Sequence, residues 1–202
     1  MNKKLTFRRF VAFIIDIIIV SFIVGALSSL KVINPTLDKY NESYDKYYNY
    51  LKEVYYNNET SKILTDSDAL DMAYDVSYYG RYSSIISVVV LFLYFGLFQY
   101  YTDGKTVGKL ILRINVKATN GKFKLSNILI RSAIINSIAI KLLTVICLLI
   151  MKKGLYIKVS TVLEYINILL VIVSCAMIVF KQDGVGLHDL IAHTKVVRIN
   201  EE

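Results

Sequence analysis

The chain has 202 residues, 55% of them hydrophobic, with a mean hydropathy of +0.48 and a formal charge of +8. Its apolar residues gather into blocks of about 20, the helical length that a bilayer core about 30 Å thick demands; no polar stripe runs along them, which argues against a soluble domain. The basic residues sit in short segments beside those blocks, as orientation signals do. With no aromatic-basic ribonucleoprotein motif, zinc-finger spacing or basic helix, they argue against nucleic acid as a partner.

Four spans are expected, at residues 10–30, 83–101, 125–151 and 159–180. Lys3, Lys4, Arg8 and Arg9 precede the first. They resemble the charged start of a signal peptide, and Ala26-Leu27-Ser28 resembles a cleavage site. The apolar run is too long for that and carries Asp16, so it reads as an uncleaved span with its N-terminus inside. Asp16 lies roughly 9 Å into the span at 1.5 Å per residue. An ionised carboxylate at that depth must be paired, protonated or beside a wet cavity. Arg131 in the third span, at a similar depth, is the expected partner; Arg9, seven residues before Asp16 on the same helical face, is the alternative.

Residues 31–82 then lie outside, with six basic and nine acidic side chains. Tyr40, Tyr44, Tyr47, Leu51 and Tyr55 recur at helical spacing, and a second helical piece over 69–82 is expected to continue into the next span. This Tyr-rich insertion reads either as a cap over the helices along the membrane surface or as a docking surface. The loop 102–124 carries six basic residues and one acidic residue and lies inside. Within it, residues 112–118 alternate as a half-buried strand does, Asn120-Gly121 suits a hairpin turn, and residues 194–199 suggest a second strand. Lys152, Lys153 and Lys158 face outward against the general charge pattern. The expected fold is therefore an all-α polytopic membrane protein: a four-transmembrane-helix bundle with an extracellular helical insertion and a small cytoplasmic β-element. It forms one domain over residues 1–202, with no internal repeat.

Three motifs carry what remains. Arg9-x-x-Ala12-x-x-x-Asp16 enters the first span. Gly104-x-Thr106-x-Gly108-Lys109 follows the second; it imitates a phosphate loop but is one residue short between its glycines, and Leu110 replaces the Ser/Thr that such a loop requires. Gly186-Leu187-His188-Asp189-x-x-Ala192-x-Thr194 follows the fourth. In this order the motifs resemble the RDD family of bacterial membrane proteins, named for an Arg and two Asp residues. By the resemblance, Arg9, Asp16 and Asp189 hold the naming positions. His193 stands where the family pattern has glycine, the external loop is longer than usual, and Lys141 lies near the middle of a span. For function the resemblance implies either an accessory role in the envelope or sodium or potassium–proton antiport.

Two readings of function follow. In one, Asp16 exchanges a cation (Na⁺ or K⁺) for a proton, with Lys141 as an opposing charge; four helices are few for this, so it implies a homodimer. In the other, the charge network of Arg9, Asp16, Arg131, Lys141 and Asp189 is structural, and the protein is an accessory or interaction protein of the cell envelope, with the lipid bilayer and another membrane or envelope protein as partners. No cofactor, metal site or enzymatic activity is expected: nucleophile elbow, metalloprotease helix and paired metal ligands are all missing. His188 and His193 diverge by about 140° on a helix, His188 is expected at the membrane interface, and Asp189 is expected to cap or pair locally. Cys147 and Cys175 read as packing residues. The expected location is the bacterial plasma membrane, multi-pass, with both termini cytoplasmic.

Overall fold

The computed structural model describes residues 3–181 and 183–199, with the backbone alone described at Lys3, Lys4 and Leu64. In chain order the elements are α1 (Lys3–Ser28), α2 (Leu37–Tyr56), α3 (Lys62–Thr65), α4 (Ser67–Tyr79), α5 (Arg81–Leu91), a π-helical stretch Phe92–Phe98, α6 (Gln99–Tyr101), α7 (Val107–Ile111), β1 (Ile114–Ala118), α8 (Leu125–Ile135), α9 (Ile138–Ile150), α10 (Lys153–Phe180), α11 (Leu187–Ile191) and β2 (Thr194–Arg198). Among the described residues, three stretches are long and apolar enough to cross a membrane: Leu5–Ser28, Arg81–Tyr101 and Lys153–Phe180. Over the third expected span the helix is interrupted: α8 and α9 are apolar enough only as a pair, and they are bent by 69°, as in a broken span or a re-entrant loop. The break falls at Asn136 and Ser137, where Ser137 adopts a φ of 58° and the α8 hydrogen-bond ladder ends. Asn and Ser, which compete with the helix for backbone hydrogen bonds, replace the usual proline or glycine at this kink.

Contacts divide the chain into two compact units: Met1–Ile23 with Val88–Ile140 and Tyr165–Glu202, and Val24–Ser87 with Lys141–Glu164. The second unit holds the insertion. There Tyr40, Tyr47, Tyr50, Leu51 and Val54 of α2 turn inward, while Tyr44 and Tyr55 turn out, so Val54 and not Tyr55 continues the apolar stripe. Tyr50 donates to Asp66 at 2.8 Å, and Asp66 caps α4 through the Asp68 amide. The second helical piece does not run unbroken into the span. It stops at Gly80, where a Cβ would lie 3.1 Å from the Tyr40 ring, and α5 restarts at Arg81. Lys153 meets Asp71 at 2.8 Å, giving one of the three discordant lysines an acidic partner on the insertion.

In the first unit, β1 and β2 pair antiparallel with Val116 opposite Val196 at the centre. The core around them is Ala12, Ile114, Val116, Ile128 and Val196. The hairpin expected at Asn120-Gly121 does not form. Gly121 does turn at a φ of 69°, but the chain then enters α8, and β1 finds its partner near the other end of the chain.

Two stretches share one backbone plan that the sequence does not display as a repeat. Asp103–Ala118 and Asp183–Arg198 have the same plan eighty residues apart: Asp-Gly, a five-residue helix, a residue at positive φ (Arg113 at 54°, His193 at 51°), then a five-residue strand. Several of their turn bonds correspond. Leu110 to Thr106 matches Leu190 to Gly186, and Arg113 to Leu110 matches His193 to Leu190. The strand register places corresponding residues 116 and 196 face to face, so the pair has local two-fold symmetry. Only Asp, Gly, Leu, Ile and one Val coincide along the two stretches, too few for the similarity to stand out from residue identities.

Candidate functional site: a buried charge cluster

The first unit buries two carboxylates, each ringed by donors from several elements. Asp16, on α1, is 1% exposed. Its Oδ1 accepts from the Tyr94 hydroxyl at 2.7 Å and the Gly108 amide at 2.8 Å; its Oδ2 accepts from Thr106 at 2.5 Å, with Lys109 Nζ 3.9 Å away. Thr106 caps α7, accepting from the Lys109 amide and, at 3.1 Å, from the Lys109 ammonium. Its single hydroxyl proton is thus directed to Asp16 while its lone pairs serve Lys109. Tyr94 in turn accepts from the Val107 amide at 3.2 Å.

This approach depends on size. At Gly108 a Cβ would lie 2.2 Å from the Ala12 carbonyl oxygen, so α7 reaches α1 only because residue 108 lacks one and residue 12 is small. Small residues permit the same close approach between helices in membranes. At Gly104 both space and backbone demand glycine, with a φ of 86° and a Cβ position 2.0 Å from the Val116 carbonyl oxygen. The Gly104–Lys109 motif therefore builds a turn from α6 into α7.

Asp189, on α11, is fully buried. Arg9 Nη2 donates to its Oδ2 at 2.6 Å, Arg131 Nη1 contacts its Oδ1, and Thr194 donates to Oδ1 at 3.3 Å. The Gly186 amide donates to Oδ2 at 3.3 Å, so Asp189 also caps its own helix. Arg9 Nη1 donates to the Gly184 carbonyl at 2.5 Å. The expected Asp16–Arg131 pair is thus replaced: Arg131 and Arg9 both serve Asp189, and Asp16 takes neutral donors and Lys109. Depth along separate helices could not reveal this, because α11 folds back from the tail to insert its carboxylate between them.

His188 is buried and not at an exposed interface. It contacts the Ser174 hydroxyl through Nδ1, and its Nε2 lies 3.4 Å from Asp189 Oδ2. Burial first, and then the charges of Arg131, Arg9 and Lys109, hold its pKa below the ordinary value, so the ring is neutral. Burial also lowers the Lys109 pKa to about 7, against the raising effect of Asp16. Lys141 lies in the other unit, exposed on α9, and joins neither carboxylate. Among the described residues no three His, Cys, Asp or Glu side chains converge as a metal site, and Cys147 and Cys175 are free thiols.

Two participants had no motif to mark them. Tyr94 lies in the π-helical stretch, and the Phe95 carbonyl within that stretch accepts from Ser132 on α8 at 2.8 Å. Insertions of this kind recur where a helix must re-aim a side chain. Ser174 is a lone hydroxyl in an apolar span. A cavity of about 470 Å³ opens beside the cluster, lined by Arg9, Asp16, Lys109, Arg131, Asn136 and His188 among mostly apolar neighbours.

The family model described as the RDD family matches residues 5–193, a range that includes every charged residue of the cluster. No curated protein and no solved structure matches the chain.

Proposed function

The chain belongs to the RDD family, and from that premise we propose that it is an accessory or interaction protein of the bacterial cell envelope, not an enzyme and not an autonomous ion exchanger. It crosses the plasma membrane as a four-span bundle with both termini in the cytoplasm and its Tyr-rich insertion outside. The content of the two units supports this topology. One unit gathers the basic N-terminal segment, the loop 102–124 and the tail; the other gathers the acidic insertion and Lys152, Lys153 and Lys158.

The observation that carries the reading is the donor set of Asp16. A sodium or potassium ion is held by oxygen lone pairs, as hard cations are. The groups directed at Asp16 offer hydrogens instead: a tyrosine hydroxyl, a threonine hydroxyl, a backbone amide and an ammonium. Three cations line the same cavity. A cation at Asp16 would have to displace these donors and face those charges, whereas the arrangement as it stands locks α1 to α7. The outward Tyr44, Tyr48 and Tyr55, at 47%, 46% and 71% exposure, provide the surface for an envelope partner.

Cation–proton antiport at Asp16, in a homodimer, is the second reading. The opening of the cavity onto Asp16 and Lys109 favours it. Proteoliposomes containing a trapped pH dye, pulsed with Na⁺ or K⁺, separate the two. A clamp gives no ion-driven proton movement from folded protein, and Asp16→Asn lowers thermal stability. Proton movement that disappears in folded, equally stable Asp16→Asn establishes antiport instead. Photocrosslinking from positions 44, 48 and 55 in cells tests the partner: a discrete adduct lost when the neighbouring tyrosines become serine supports it, and lipid adducts alone overturn it.

A further inference from the structure

Three cations from three elements converge on one cavity: Arg9 of α1, Lys109 of α7 and Arg131 of α8. Two carboxylates, Asp16 and Asp189, meet them. With all five groups ionised, the cluster carries one positive charge in excess. The cavity, about 470 Å³, has the volume of a ligand site. Beyond the charges its wall is apolar, with Phe7, Phe10 and Phe13 on α1 and Val171, Ile178 and Val179 on α10. Phe7 and Phe10 are 67% and 61% exposed on a helix of membrane-spanning length.

A second polar feature lies on the same wall. Asn136, at the break between α8 and α9, is only 9% exposed, yet its Oδ1 has no hydrogen-bond partner among the described residues. A buried amide oxygen left unsatisfied is costly and marks a place where a donor belongs.

We propose that this cavity binds an anionic phospholipid with a hydroxylated headgroup, of the phosphatidylglycerol type. Its phosphodiester sits against Lys109, Arg9 and Arg131, and an acyl chain lies along Phe10, Phe13 and the α10 wall. The phosphodiester carries the single negative charge that the cluster lacks. Its tetrahedral oxygens face several directions and suit cations arriving from three elements, whereas a fatty-acid carboxylate presents two oxygens in one plane. A headgroup hydroxyl supplies the donor for Asn136. The apolar wall selects a lipid over a soluble phosphate.

Cys175 lines the cavity and is exposed, so it reports occupancy. The full-length protein with Cys147→Ala, in nanodiscs of phosphatidylcholine with increasing phosphatidylglycerol, is treated with N-ethylmaleimide and the alkylation rate of Cys175 is followed. The expected result is a several-fold slowing that saturates with phosphatidylglycerol. Soluble glycerol phosphate and palmitate do not reproduce it. Lys109→Met should raise the phosphatidylglycerol fraction needed by about tenfold, and Lys158→Met, in the other unit, should leave it unchanged. If Lys109→Met does not elute as a folded species, Asn136→Ala takes its place with the same expected direction. Equal rates in the two lipids overturn the proposal. So do equal protection by soluble glycerol phosphate, which marks a free-phosphate site, and protection untouched by the cavity variant, which places the lipid elsewhere.

Discussion

Lys109 and Asp189 hold the same position in the two copies of one substructure and carry opposite charges, and each meets its counter-charge on a single helix. Lys109 lies 3.9 Å from Asp16, and Asp189 lies 2.6 Å from Arg9. Arg9 and Asp16 are seven residues apart on α1, two turns along one face. The first helix thus gives one charge to each half of the repeat, in reverse order: Arg9 meets the later half and Asp16 the earlier one. A carboxylate and a guanidinium that look like neighbours in sequence are not partners to each other.

Asp189→Asn should be the most damaging single change in this set. It leaves Arg9 and Arg131 buried without a carboxylate, and breaking a buried pair by removing one partner costs about 3–5 kcal/mol. The check is thermal or denaturant unfolding in detergent. A loss below about 1 kcal/mol would mean that the two guanidiniums are not held by Asp189.

Glycines separate cleanly by what lies beside them. Gly108→Ala drives a methyl to 2.2 Å from the Ala12 carbonyl oxygen and forces backbone movement, with an expected cost of about 1–3 kcal/mol. Gly154→Ala, on α10 with nothing within 4 Å, should be neutral or gain up to about 1 kcal/mol from helix propensity. Melting temperatures of the two variants in one detergent decide the matter, and equal effects would refute the close approach.

The Lys109 ammonium gives stability a pH dependence of known sign. Its folded pKa of about 7 lies below the ordinary 10.5. Between those values the unfolded chain binds more protons, so stability rises with pH, by at most about 1.4 kcal/mol per unit. Below about pH 7 both states are protonated and this slope vanishes. Melting temperatures from pH 6 to 10 should therefore rise more steeply in the wild type than in Lys109→Met. Parallel curves would show that Lys109 is not desolvated.

His193→Gly should stabilise. The residue is exposed and adopts a φ of 51°, where only glycine is at ease, so relief of about 0.5–1 kcal/mol is expected. Denaturant midpoints check it, and a lower midpoint would mean that the imidazole contributes more than its backbone costs.

Much of this fold was legible because periodicity and block length are local properties. The apolar helices, the Tyr-rich helix and both strands could be read from spacing alone. The anchors at Arg9, Asp16 and Asp189 were legible as motifs, but their pairing was not: it depends on which elements the chain brings together. Ser137 breaks a helix that hydropathy reads as continuous, since one residue at positive φ changes direction without changing apolar content. The departure at position 193 was visible as a missing glycine, and its meaning became clear only with the backbone angle.

Chain order adds a consequence for biogenesis. Asp189 is the last of the five clustered charges to leave the ribosome, and β2 follows it. Until then α1 and α8 each hold a guanidinium with no carboxylate to receive it, and β1 lacks its only strand partner among the described residues. Translation must therefore run to within a few residues of β2's end before the core can close. A nascent chain that stalls earlier retains two orphan cations and an open strand edge, and an unpaired edge is a template for aggregation.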